Sequence, residues 1–198
     1  MTFETGLRGE NEFFRLVFQI RRLANGKISS ALGTSITAGH RARITGPFGN
    51  AFLRHQETGP IVLASSGTGF APIWSLVKAV KRAQPNRIVK VVTGIREPRD
   101  LYMAPAIRWL QDHGTKDIVV TAKRGAKGSI LKGTADHHLP EMHPEMTVHV
   151  AGNPHLVERT KAVALAANAT CYADPFTASS GKLGMMDKTS RFFRSFRR

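Results

Sequence analysis

The stretch Ile61-Val-Leu-Ala-Ser-Ser-Gly-Thr-Gly-Phe-Ala-Pro-Ile-Trp74 decides the fold of this chain. Its first four residues are apolar and predict a buried strand. Gly67-Thr68-Gly69 can form a tight turn, and Pro72 suits the first turn of a helix. A strand, a small-residue turn and a helix start place free N–H groups and a helix dipole at one point, which predicts a phosphate site. A tight turn without a ligand remains the alternative at this stage.

The chain beyond Gly59-Pro60 alternates between predicted strands and predicted helices. The strands are expected at 61–64, 88–93, 118–121, 147–150 and, as a short one, 170–172. The helices are expected at 72–83, 103–113, 129–139 and 154–167. This alternation of strands and helices predicts an α/β fold with a five-stranded parallel sheet. Such sheets bind ligands at the carboxyl ends of their strands.

The region before residue 58 has the pattern of antiparallel β structure with one short helix. Residues 13–22 alternate as a strand, and a turn at 6–11 predicts a hairpin with residues 1–5. The remaining elements are expected as a short helix at 30–35, capped by Ser29 or Ser30, and strands at 40–45 and 51–53. A domain boundary is therefore expected near residue 58.

Composition excludes several classes of protein. The 198 residues carry a formal charge of +15, which favours an anionic partner. Cys171 is the single cysteine, so neither an internal disulfide nor a four-cysteine iron–sulfur cluster can form within this chain. Without a signal-peptide pattern or a membrane-spanning apolar run, the protein is expected in the cytoplasm. Nucleic-acid binding rests on charge alone, and the histidines show no zinc-site spacing, so no metal site is predicted.

Six short motifs occur in a fixed order along the chain. They are Phe18-Gln-Ile-Arg-Arg with Gly26-Lys-Ile-Ser29, Gly46-Pro-Phe-Gly49, Ser66-Gly-Thr-Gly-Phe-Ala-Pro72, Gly94-Ile-Arg96 followed by Asp100-Leu-Tyr102, Ala151-Gly-Asn-Pro154, and Tyr172-Ala-Asp-Pro-Phe176. In this order the chain resembles the ferredoxin–NADP reductase-like flavoproteins. It is most similar to the NAD(P)H-dependent reductase components of aromatic-ring oxygenases and phenol hydroxylases.

The resemblance implies an oxidoreductase that passes electrons from NAD(P)H through FAD to an acidic ferredoxin or an iron–sulfur oxygenase component. It divides the chain into a partial FAD-binding β-barrel at 1–57, an NAD(P)-binding domain at 58–180 and a basic tail at 181–198 that is expected to be disordered. The flavin-binding R-x-Y-S/T segment of the family is absent, so the chain resembles an N-terminally short member. The alternative is a non-catalytic nucleotide-binding subunit, or a degenerate fragment with an incomplete flavin site.

The resemblance also implies a set of site residues. The dinucleotide pyrophosphate and the nicotinamide ribose are expected at Gly67, Thr68, Gly69, Pro72, Gly152, Asn153 and Pro154. The flavin pyrophosphate is expected at Gly26 and Ser29, with Ser30 as the alternative donor. Asp174 and Phe176 are expected beside the flavin–nicotinamide stack as the catalytic pair, although Phe176 suits core packing equally.

Three cations complete the expected site. Arg96, Lys123 and Arg124 are anion contacts by family position, and a surface salt bridge to Glu97 or Asp100 is the alternative for Arg96. Two cations after the third strand suit the extra phosphate of NADP, whereas the similarity to oxygenase reductases favours NAD. The choice between NADH and NADPH stays open.

Overall fold

The computed structural model describes residues 2–8, 13–23, 25–26, 28–46 and 48–177. The predicted turn at 6–11 lies partly outside these residues, and the basic tail at 181–198 lies wholly outside them. Within the described part, no helix is long and apolar enough to cross a membrane.

The centre of the molecule is a six-stranded parallel sheet in the order β6-β5-β4-β3-β7-β8. Its strands are β3 at Ile61–Ser66, β4 at Val89–Ile95, β5 at Asp117–Ala122, β6 at Leu131–Lys132, β7 at Thr147–Gly152 and β8 at Thr170–Pro175. The stretch Ile61–Trp74 begins with β3, and this strand pairs with β4 on one side and β7 on the other. The predicted parallel sheet is confirmed, and the two-residue edge strand β6 adds to the five expected strands.

Three helices cover the two faces of the sheet. They are α1 at Phe70–Ala83, α2 at Ala104–Asp112 and α3 at Pro154–Ala166. Ile61 and Leu63 of β3 pack with α1 and α2, whereas Val62 and Ala64 pack on the side of α3. Successive side chains of a strand point to opposite faces, so a continuous apolar run is what a doubly covered strand requires.

The helix predicted at 129–139 is wrong. This stretch contains strand β6 and a short 3-10 turn at Ala135–His138. Gly128 and Gly133 have φ angles of +62° and +121°, and Thr134 between strand and turn is extended. Backbone in these regions cannot continue an α-helix.

The N-terminal hairpin is confirmed, but the other elements predicted before residue 58 are not. β1 at Thr2–Arg8 pairs antiparallel with β2 at Phe13–Gln19. The expected helix at 30–35 is instead a series of turns, with Gly33 at φ +81°. The stretches 40–45 and 51–53 form no strand. A strand needs a neighbour for its backbone N–H and C=O groups, and no other described strand lies beside these stretches.

The segment before β3 is nevertheless tied to the sheet by polar contacts. The Tyr172 hydroxyl donates to Glu57 Oε1 at 2.5 Å, and Arg87 Nε donates to the carbonyl of Gly59 at 2.6 Å. The Asn50 amide donates to the carboxylate of Asp174 at 2.8 and 2.9 Å. The contact with Asp174 places Asn50 at the carboxyl end of β8, and the other two tie Glu57 and Gly59 to β8 and to the residue pair before β4.

Candidate coenzyme site

Two turns meet at the carboxyl ends of β3 and β7. The first is the 3-10 turn Gly67–Gly69, which leads directly into α1. The second contains Gly152 and Asn153, and the Asn153 side chain caps α3 by accepting from the amide of His155 at 2.8 Å. The Asn153 amide donates to Ser66 Oγ at 2.9 Å, so a direct hydrogen bond fixes the distance between the turns.

The turns approach so closely that glycine is required in both. Gly152 has φ +124°, and a Cβ there would lie 2.5 Å from the carbonyl oxygen of Ser66. A Cβ on Gly69 would overlap the carbonyl group of Ala151. Gly67 differs, since its φ is +53° and a Cβ would meet nothing within 4 Å. The backbone at Gly67 therefore faces open space, where a ligand can approach it.

A cavity of about 850 Å³ lies over these turns, and a smaller one of about 410 Å³ adjoins it. Gly67, Thr68 and Arg96 line both cavities. The larger cavity has a size typical of sites for small organic ligands and cofactors. Its position at the carboxyl ends of parallel strands is where such sheets bind ligands.

The larger cavity brings together seven of the residues that sequence reasoning selected. They are Gly67, Thr68, Arg96, Lys123, Gly152, Asn153 and Phe176. Gly69 is buried beneath the turns, and Pro154 is the first residue of α3. Pro72 is the third residue of α1, because the helix begins at Phe70 rather than at 72. These three residues shape the turns and do not line the cavity.

The three predicted cations have different surroundings. Arg96 and Lys123 are exposed and line the larger cavity. The Arg124 guanidinium lies 2.6 Å from the carboxylate of Glu97, which also pairs with Arg99 at 2.7 Å. Glu97 thus pairs with those two arginines, and none of the ion pairs in the described part of the chain includes Arg96.

The two residues expected beside the reacting rings have different surroundings in the structure, since one lines the larger cavity and the other does not. Phe176 is 43% exposed on the cavity wall, and its amide donates to the carbonyl of Gly152 at 2.7 Å. Its ring is therefore available to a ligand and is not core packing. Asp174 does not line either cavity, because its carboxylate is bonded to Asn50.

The turn that contains Gly26, Ser29 and Ser30 is expected to hold a flavin phosphate, and it is stabilised by hydrogen bonds of its own side chains. The Ser30 hydroxyl donates to the carbonyl of Gly26, and Ser29 Oγ accepts from the amide of Leu23 at 3.2 Å. A Cβ on Gly26 would contact Ser29 Oγ. None of Gly26, Ser29 and Ser30 lines either cavity. Ser30 thus uses its hydroxyl proton within the turn, whereas the Ser29 hydroxyl only accepts there and can still donate to a flavin pyrophosphate.

Sequence reasoning missed a buried acid in the wall of the larger cavity. The side chain of Asp136 is only 2% exposed. Burial alone would raise its pKa, but the Thr134 hydroxyl and the nearby His137 and His155 hold the pKa below its usual value. Asp136 is therefore a carboxylate, with Arg159 Nε 3.9 Å away. It lies in the stretch predicted as a helix, and no sequence motif marks it.

Tyr102 was also missed as a site residue, although its motif was recognised. It lines the smaller cavity, and burial raises its pKa to about 12. It is thus a neutral phenol at physiological pH.

Among the described residues, no group of three or more histidine, cysteine and acidic side chains could hold a metal ion.

Comparison with known proteins identifies the class of this domain. The family model described as the oxidoreductase NAD-binding domain matches residues 63–162, which is half of the chain. The chain belongs to this family. The matched range contains the turn after β3, the turn after β7 and the ends of β4 and β5, which carry six of the seven predicted residues that line the larger cavity, and Phe176 lies beyond it.

The relatives include one bacterial protein that matches most of this chain and reductase components of bacterial dioxygenase systems. Protein RfbI of Salmonella typhimurium is 25% identical over 187 residues, which cover 91% of this chain and 56% of that protein. The ferredoxin–NAD(P)+ reductase component of a naphthalene 1,2-dioxygenase/salicylate 5-hydroxylase system from a Ralstonia species is 34% identical over 85 residues, 43% of this chain and 26% of that protein. The chain spans about half the length of the curated relatives that it matches over most of its own length.

Solved structures confirm the fold. The Amycolatopsis cytochrome P450 reductase GcoB superposes with a TM-score of 0.71 at 22% identity, covering 89% of this chain and 61% of that one. The ferredoxin reductase of a carbazole 1,9a-dioxygenase superposes with a TM-score of 0.64 at 24% identity, covering 83% of this chain and 51% of that one. The α/β architecture expected from the sequence is therefore that of the ferredoxin–NADP reductase-like proteins.

Proposed function

We propose that this chain binds NAD(P)H and serves in a flavin-dependent oxidoreductase that passes electrons from NAD(P)H through FAD to a ferredoxin or oxygenase partner. The observation that carries the proposal is the pair of interlocked turns, with the exposed ring of Phe176 on the wall of the same cavity. Reductase components of dioxygenase systems among the relatives support it.

The residues of the cavity suit a dinucleotide. Gly67 and Thr68 offer backbone N–H groups at the start of α1, where the helix dipole favours a phosphate. Arg96 and Lys123 add positive charge along the same wall, so the coenzyme phosphates would be held there. The turn at Gly152 and Asn153 would orient the nicotinamide ribose.

Phe176 would be the stacking residue at the reacting end. Its amide is hydrogen-bonded to the carbonyl of Gly152, so its main chain is held beside the turn expected to hold the nicotinamide ribose. When bound, FAD would accept a hydride from the coenzyme and release electrons one at a time. The contribution of this chain is to bind and orient the donor, and Asp174 acts at a distance by holding Asn50.

The flavin pyrophosphate would be held at the turn that contains Gly26, Ser29 and Ser30. The Ser29 hydroxyl is the proposed donor, because its proton is not used within the turn, whereas Ser30 would have to release the carbonyl of Gly26 before it could donate. The alternative function is a nucleotide-binding subunit without catalysis of its own, and it is favoured by the position of these three residues outside both cavities.

The proposed partner is an acidic iron–sulfur protein in the cytoplasm. The formal charge of +15 would attract such a partner and accelerate its association. No iron–sulfur cluster of four cysteines can belong to this chain, because Cys171 is its single cysteine.

One experiment tests the proposal in two stages. The purified chain is titrated with NADH and NADPH, then incubated with FAD, and the visible flavin absorbance is followed after the reduced coenzyme is added. Coenzyme binding together with flavin bleaching supports the full proposal. Coenzyme binding without flavin uptake supports the alternative subunit function, and failure to bind either coenzyme contradicts both.

A further inference from the structure

The segment that leaves β2 forms part of the wall of the coenzyme site. Gln19, Ile20 and Arg21 line both cavities, together with Gly67 and Thr68. These three residues precede the range that matches the NAD-binding family, which begins at residue 63. The site is therefore built from two separate parts of the chain.

The smaller cavity is strongly basic. Four arginines line it, namely Arg21, Arg22, Arg96 and Arg99. The single acidic residue in its lining is Asp100, whose carboxylate already accepts from the amide of Glu97 at 3.1 Å. Arg99 is partly neutralised by Glu97 at 2.7 Å. A cavity with this excess of guanidinium groups suits a ligand with more than one negative charge.

Arg21 and Arg96 are the two cations best placed to share one anion. Both line both cavities, and both cavities include Gly67 and Thr68. Lys123 lines the larger cavity only. Arg21 is exposed, and no ion pair among the described residues includes it. Arg21 thus lines the space over the turn where the pyrophosphate of a dinucleotide would lie.

We propose that Arg21 is a ligand of the coenzyme pyrophosphate, supplied to the NAD-binding domain by the segment after β2. Arg21 and Arg96 hold the pyrophosphate between them over the Gly67–Thr68 turn. The inference rests on the proposed coenzyme function and adds to it a binding residue from outside the domain. It follows that dinucleotide affinity depends on the N-terminal segment.

The test measures the dissociation constants of NADH, NADPH and ADP-ribose for the full chain and its variants by calorimetry. Arg21→Gln is expected to weaken all three by about tenfold, because each contains the pyrophosphate. Arg21→Lys keeps the charge but loses the planar fork, so it is expected to recover part of the affinity. Arg41→Gln is the control, since Arg41 is exposed and lines neither cavity.

Each outcome has a distinct meaning. Equal weakening of the three ligands by Arg21→Gln, with Arg41→Gln unchanged, supports the inference. Wild-type affinity in Arg21→Gln beside weakened binding in Arg96→Gln would overturn it while leaving the proposed function intact. A loss confined to NADPH would also overturn it, because Arg21 would then contact the adenosine 2′-phosphate. If the wild-type chain binds none of the three, the proposed function itself fails.

Discussion

The sheet domain and the segment before residue 58 differ in how completely their strands are paired and buried. In the sheet, β3 has a paired strand on each side and its first five residues are buried. In the N-terminal segment, β2 has β1 as its one described neighbour, and Val17 and Phe18 are 47% and 40% exposed. The difference shows that a strand with a partner on each side is buried, whereas a strand with one described partner keeps apolar side chains exposed.

The same difference appears in the residues predicted to bind the cofactors. Those of the sheet domain are held by short contacts between turns, such as Asn153 to Ser66 at 2.9 Å. Those expected in the N-terminal segment, Ser29 and Ser30, bond within their own turn. The two turns of the sheet domain are thus fixed against each other, whereas Ser29 and Ser30 are held by contacts within a single turn.

Gly152→Ala is expected to have the largest effect. Its Cβ would overlap Ser66 at a positive φ, so the two turns must separate, at a cost of roughly 4 kcal/mol in the free energy of unfolding. NADH affinity should fall more than about tenfold. Urea unfolding and coenzyme titration measure the two effects.

Gly114→Ala is the matched control for that change. Gly114 also has a positive φ, +76°, but a Cβ there would meet nothing within 4 Å. It should cost about 1 kcal/mol from backbone strain alone and leave coenzyme binding unchanged. Equal costs for the two variants would show that the contact between the turns is unimportant.

His149 in β7 is expected to make stability depend on pH. Burial lowers its pKa to about 4, and the charges of Arg54 and Arg87 act in the same direction. In the unfolded chain His149 binds a proton below about pH 6.5, whereas in the folded chain it stays neutral down to about pH 4. The free energy of unfolding therefore falls as the pH decreases from about 6.5 to 4. The contribution of this residue to that loss is at most about 3 kcal/mol.

Denaturant unfolding between these pH values checks the His149 prediction. His149→Gln should flatten the pH dependence, whereas His143→Gln, at an exposed loop position, should leave it unchanged. An identical pH slope in the His149 variant and the wild type would contradict this assignment.

Asp174→Asn tests the tie between the two regions. The substitution replaces a carboxylate that accepts twice from the Asn50 amide, so about 1–2 kcal/mol of stability should be lost. Coenzyme affinity should change less than about twofold, since Asp174 does not line the cavity. Asp112→Asn at the exposed end of α2 is the control. A large loss of coenzyme affinity in Asp174→Asn alone would show a direct role at the site.

The smallest expected effect distinguishes two adjacent cations. Lys123→Gln should weaken coenzyme binding about threefold, because Lys123 lines the cavity. Arg124→Gln should change binding very little, because Arg124 pairs with Glu97. Calorimetric titration of both variants checks the order, and the reverse order would mean that Arg124 leaves Glu97 when the coenzyme binds.

Sequence patterns predicted the sheet well because its signals are local. The run from Ile61 to Ala64 and the turn at Gly67–Gly69 each act within a few residues. Asp136 and the Asp174–Asn50 contact could not be predicted in the same way, because they depend on residues brought together by folding. The helix expected at 129–139 failed because the φ angles at Gly128 and Gly133 outweigh helical spacing.

The most direct test of the central claim is a titration of the wild-type chain and of Gly152→Ala with NADH in the absence of flavin. If the interlocked turns form the coenzyme site, the wild type will show saturable binding to one site, and the variant will lose most of that affinity. Absence of saturable binding by the wild type, or equal affinity in a folded Gly152→Ala variant, would contradict the claim.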